Sequence, residues 1–141
     1  MPEKSTIRKA REDLRQGKSP TTAAGEFVHE EIEHVRRGKH GARSARQAIA
    51  IGLSKARRAG VPLPAPKKGQ TSEKTRRSAE RAYEVGQGKR KAKAPARRRA
   101  RATSKALQRE GRSAASKGAL SKQAQRAAAR RRRTRARTQS R

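Results

Sequence analysis

The chain has 141 residues, with 41 Lys and Arg against 11 Asp and Glu, for a formal net charge of +30. Leu, Ile, Val and Phe together number 14, about a tenth of the chain and well under the roughly 20% below which a highly charged chain is expected to be disordered. That leaves no material for a large catalytic core, so an enzyme is not expected, and the absence of cysteine removes disulfides, thiolate metal sites and thiol nucleophiles.

The first helix is expected over residues 5–16. Ser5 or Thr6 can cap it, Ile7, Ala10 and Leu14 recur at helical spacing, and Gly17 can end it. The stretch SPTT (19–22) breaks the chain, and a second helix is expected over 23–37. Its stripe is Ala24, Val28, Ile32 and Val35, and Gly38 stands at its end. A third helix is expected over 45–59. Ser44 and Gln47 form a capping box, and Ala45, Ala48, Ile49, Gly52, Ala56 and Ala59 share one face. The prolines at 62, 64 and 66 predict an extended linker over 61–70.

Beyond the linker the composition changes. Residues 1–60 carry a net charge of +7 and residues 61–141 a net charge of +23. Of the 14 large aliphatic and Phe side chains, only Val61, Leu63, Val85, Leu107 and Leu120 fall in the second part. A helix is expected over 71–86, with Ala79, Ala82 and Tyr83 as its weak apolar side, whereas stretches at 104–110 and 119–133 have good helix formers but no hydrophobic face strong enough to hold a helix in water alone. The expected fold is all-α: a small two- or three-helix N-terminal element over 1–60, then a largely disordered basic tail over 71–141 with transient helices.

All three histidines lie in HEEIEHVRRGKH (29–40). His29 and His34 are five residues apart, about 140° from eclipsed on a helix, so they cannot ligate one metal from the same helix. A third ligand would have to come from His40 or another helix, and no metal or other cofactor is expected. The glutamates precede Arg36 and Arg37, an order that complements the helix dipole. This acidic stretch could dock the third helix or the tail, or compete with nucleic acid for nearby arginines.

Charge of this size selects a polyanionic partner, nucleic acid before an anionic membrane. The basic face of the third helix supplies Arg43, Arg46, Gln47, Arg57 and Arg58. Arg and Gln at a helix start can reach base edges, and two helices joined by a turn resemble a helix-turn-helix. The tail supplies Arg97, Arg98 and Arg99, then Arg130, Arg131, Arg132 and Arg133, for phosphate contacts that release counterions. Aromatic residues are nearly absent, which favours duplex DNA over single strands or RNA read by stacking.

No apolar run reaches the ~18 residues of a membrane span, so no membrane insertion is expected. No apolar leader opens the chain, so a cytoplasmic protein at the nucleoid is expected. The stretch EFVHEEIEHVRRGKHGARSARQAIAIGLSKARRAGVPLPAP (26–66) resembles a small bacterial family catalogued as a domain of unknown function. That resemblance implies no activity or functional residue. The run KAKAPARRRARA is similar in composition to bacterial histone-H1-like proteins. The expected function is a DNA-binding, nucleoid-associated protein. The alternatives are an RNA- or ribosome-associated protein and a protein-interaction module, its partner unknown, tethered to nucleic acid by the tail.

Overall fold

The computed structural model describes residues 2–140 and is all-α among them. In chain order the elements are α1 (Lys4–Arg15), α2 (Pro20–Arg36), α3 (Ala45–Arg58), α4 (Glu73–Gly86), α5 (Arg97–Arg109), a 3₁₀ turn (Ser113–Ala115) and α6 (Lys117–Gln139). The second helix starts three residues before its expected position. Pro20 takes the first helical position instead of breaking the chain, and Ser19 Oγ accepts a hydrogen bond from Thr22 N (3.3 Å).

The central element is α2, packed between α1 and α3. Phe27 is fully buried and gathers Ala10, Ala23, Ala24, Ala56 and Val61 around it, with Ile7, Leu14, Leu53 and Leu63 at the edge. A second cluster joins Val35, Ala42 and Ala48 to Ala114 and Ala115. Most of these side chains are alanine, so the helix axes must approach closely for the interior to fill. At the α2–α3 crossing Gly52 makes this possible. A Cβ there would sit 2.7 Å from Val28 Cα and 2.9 Å from Val28 N.

Residues 61–70, expected as an extended linker, begin as a strap on this core. Val61 is buried and its N–H donates to Ala56 O (3.1 Å). Leu63 lies against the Phe27 cluster.

The expectation of a largely disordered basic tail is overturned: residues 73–139 carry three helices and a 3₁₀ turn. The tail docks through small residues, which a count of large apolar side chains does not register. Ala79 and Ala82 are the buried residues of α4, which packs on α3. Gly86 comes so close to the Arg57 carbonyl that any side chain there would collide with it. Farther on, Ala114 and Ala115 complete the second cluster. Hydrogen bonds fasten this region, among them Gly41 N to Leu107 O (2.8 Å), Ala42 N to Gly111 O (3.1 Å) and Arg36 Nε to Ala115 O (2.9 Å).

Neither α5 nor α6 buries a residue. Their Ala, Arg, Lys, Gln and Leu are strong helix formers. With 23 residues, α6 exceeds the ~12–15 at which isolated helices are marginal. Ser116 caps it, accepting from Ala119 N (3.1 Å).

Replacing Gly52 by Ala should lower stability by about 1–3 kcal/mol, because α2 and α3 must separate. Gly25 is exposed on α2, and a methyl group at its Cβ position would meet nothing within 4 Å. Gly25→Ala should therefore raise stability by up to about 1 kcal/mol. Thermal unfolding of the two variants should show midpoints displaced in opposite directions.

Candidate nucleic-acid interface

Ser44 begins α3 with a reciprocal cap. Its Oγ accepts from Gln47 N (3.2 Å), and Gln47 Oε1 accepts from Arg43 N (2.7 Å). This fixes Arg43 beside the first turn of α3 and Arg46 within it, both exposed. The start of α6 lies across from them. Between the two helices is a cleft of about 670 Å³, lined by Arg43, Arg46, Lys122, Gln123, Arg126 and Arg130 together with both capping serines, Ser44 and Ser116.

No carboxylate lines this cleft, and none of its five cations is in an ion pair among the described residues. Two helix N-termini meet here, each carrying a partial positive charge of about half a unit. Cationic side chains and helix N-termini together make a site for anions, phosphate above all.

The cleft continues as a stripe along α6. Lys122, Arg126, Arg130, Arg133 and Arg137 fall within about 80° of one another at 100° per residue and extend about 22 Å. Arg131, Arg132 and Arg135 line a shallow hollow on another face. A second cleft, of about 690 Å³, gathers Arg58, Arg81, Arg90, Lys91, Lys93 and Arg99. Arg90 is paired there with Glu84 (2.9 Å). Arg97, Arg98, Arg101, Lys105 and Arg109 form the exposed stripe of α5, within about 120°.

Of the expected contact residues, Arg43, Arg46 and Arg130 thus share one cleft, and Arg58 and Arg99 share the other. Arg97 and Arg98 are exposed on α5, and Arg131, Arg132 and Arg133 are exposed on α6. Arg57 is a correction. It is buried, and its guanidinium donates to Leu63 O (3.2 Å) and Pro64 O (3.1 Å). Burial also lowers its pKa from the usual arginine value. The helical wheel alone puts Arg57 on the solvent side, but the strap and α4 cover that side.

Gln47 is occupied by its cap, so its side-chain oxygen is not free to read a base. Nor does α3 stand free as a recognition helix, since residues 107–115 cover the turn that precedes it. Lys122 and Arg126 join the site without having been singled out by sequence reasoning. Their i, i+4, i+8 spacing with Arg130 is the signal that points to them.

The acidic stretch of α2 faces the opposite way, into the protein. Glu31 is fully buried and accepts hydrogen bonds from Lys55 Nζ on α3 and from His40 Nε2 (3.0 Å) after the turn. His40 Nδ1 faces Gly41 O at 2.9 Å. Glu33 pairs with Arg36 (3.1 Å) and Arg37 (3.9 Å). Glu31 therefore docks the third helix, one of the roles open to this stretch. Two groups here have ligand atoms close enough to share a metal ion: Glu31, His34 and His40, and Glu3, Glu30 and His34. His29 is exposed and belongs to neither. The facing His34 ring, and then the Lys39 ammonium, hold the Glu3 carboxyl below the usual range.

No protein-family model matches the chain, and no curated protein or solved structure matches it. Among the described residues no helix is long and apolar enough to cross a membrane.

Arg57 and Arg58, adjacent in sequence, should separate stability from binding. Arg57→Ala should lower stability by about 1–3 kcal/mol, since two carbonyls lose their donor, and leave the affinity of the folded protein for duplex DNA unchanged. Arg58→Ala should leave the thermal midpoint unchanged and weaken binding in a fluorescence-anisotropy titration.

Proposed function

We propose that this chain is a non-enzymatic DNA-binding protein, associated with the nucleoid, that holds duplex DNA through its phosphate backbone. The observation that carries this reading is the cleft between α3 and α6, with five unpaired cations, no lining carboxylate and two helix N-termini. The α6 stripe extends it, and α6 carries arginines on its other faces too. A helix cationic all round suits a groove of duplex DNA, where phosphates flank it on both sides.

The aromatic residues favour a duplex over a single strand. Phe27 is fully buried and Tyr83 is half-buried on α4, so no series of exposed Phe, Tyr or Trp rings offers a platform for base stacking. The engaged Gln47 and the covered turn favour backbone contacts over base reading.

Binding of labelled duplex DNA should weaken steeply with salt. Replacing Arg43, Arg46, Lys122, Arg126 and Arg130 together by Gln should reduce the slope of log affinity against log salt by about one for each phosphate no longer neutralised. The sequence of the duplex should matter little. An affinity that does not change between low and high salt would remove the proposal. Tighter binding to duplex RNA or to ribosomal subunits than to DNA would select the RNA-associated reading instead.

A further inference from the structure

The basic clefts do not use His34, whose ring stands among three carboxylates. His34 Nε2 is 3.6 Å from Glu3 Oε1 and 3.8 Å from Glu30 Oε1, and its Nδ1 is 3.7 Å from Glu31 Oε1. The side chains of His34 and Glu30 are only 12% and 5% exposed. His34 Nε2 and Glu30 Oε2 are both buried without a hydrogen-bond partner among the described residues. Unsatisfied buried polar atoms of this kind are uncommon and destabilising, and these two belong to side chains whose ligand atoms cluster together with those of Glu3.

The ligand atoms of Glu3, Glu30 and His34 all lie within 4.8 Å of one another. Donors about 2.1 Å from a tetrahedral metal ion are themselves about 3.4 Å apart, close to the His34 distances.

We propose that Glu3, Glu30 and His34 bind a divalent transition-metal ion of the zinc class. His34 Nε2 and one oxygen from each carboxylate are the ligands. Glu3 is half-exposed and leaves the remaining coordination position open to solvent. The supporting contacts match what such a site requires. Glu30 Oε1 accepts from Glu3 N (2.7 Å), which orients the Glu30 carboxylate and ties it to the start of α1. Glu31 Oε1 lies 3.7 Å from the other nitrogen of His34, beyond hydrogen-bond length but on the side from which a carboxylate orients a ligand ring. Glu31 is itself held by Lys55 and His40.

The neighbouring group of Glu31, His34 and His40 is less suited, because both Glu31 oxygens already accept hydrogen bonds, from Lys55 and from His40. Lys39 lies 3.6 Å from Glu3 Oε1 but is 53% exposed, so it can turn to solvent when the ion enters. One imidazole and two carboxylates suit zinc or manganese. They do not suit copper(I), which needs soft sulfur ligands, or calcium, which takes six to eight oxygens.

The test uses the untagged full-length protein and zinc alone, by calorimetry and by competition with a chromogenic chelator. One zinc per chain and a raised thermal midpoint are expected. Glu3→Gln and His34→Gln should each weaken binding at least about tenfold, whereas His29→Gln should not. Glu3→Gln alters a half-exposed side chain and keeps the test decisive if the His34 variant fails to fold. It should bind duplex DNA like the parent, which separates this site from the basic clefts. Absence of stoichiometric zinc binding, or a Glu3→Gln variant that binds zinc as the parent does, would overturn the proposal.

Discussion

The helices of this chain are joined chiefly by alanine and glycine, and close backbone approach is the constraint on which the remaining structure depends. Among the described residues, only Phe27 and Val35 of the large apolar side chains are fully buried. Dispersion falls off steeply with distance, so an interior of methyl groups is stabilising only when the backbones nearly touch. Gly52 against Val28, Gly86 against Arg57 and Gly41 against Glu110 are the places where they do. The same scarcity of apolar bulk explains why charged groups take part in the interior. Glu31 occupies a position where a larger protein would place a leucine, and it is tolerated because Lys55 and His40 supply the hydrogen bonds, and Lys55 the positive charge, that water would otherwise provide.

Glu31 is also where the interior and the basic surface connect. Through His40 it fixes the turn after α2. The next two residues of that turn, Gly41 and Ala42, donate their N–H groups to the end of α5 and to Gly111. Arg36, from the last turn of α2, holds the Ala115 carbonyl immediately before α6. The position of α6 across from α3, and hence the basic cleft, follows from these contacts. Of the α2 glutamates, Glu31 fastens the segment that sets the cleft, while Glu33 pairs with Arg36 and Arg37 on the surface.

Much of the N-terminal part is legible in the sequence. The stripe Ile7, Ala10 and Leu14 does face the core, Ser44 and Gln47 do form a cap, and Val61 does fold back. These are local signals: a period, a side-chain cap, a helix stop. The tail is not legible in this way, because its docking is not local. Its buried residues are Ala79, Ala82, Ala114 and Ala115; Ala79 and Ala82 mark the weak apolar side of their helix but not what it packs on, and Ala114 and Ala115 look like the alanines of any solvated segment. The burial of Arg57 is hidden for the same reason, since the wheel gives a helix one solvent side only if no later segment covers it. The Glu3 contribution to the α2 cluster is equally hidden, because nothing in a sequence brings residue 3 to residue 34.

The distribution of charge explains how a chain of +30 stays folded and where it would engage an anion. Its carboxylates are concentrated in α1, α2 and α4. Several are paired with cations close by in the chain: Glu12 with Arg15, Asp13 with Lys18, Glu73 with Arg76 and Arg77. Between Lys117 and Gln139 there is none. Repulsion is therefore partly neutralised where helices must pack and left in place along α6, which touches only α3 and the 3₁₀ turn. Like charges on one helix face oppose the helix by a few tenths of a kcal/mol per pair, so α6 is the element that gains most when phosphates neutralise it. A partner engaging α6 would both relieve that repulsion and brace the helix against the cleft that its first turns already form with α3.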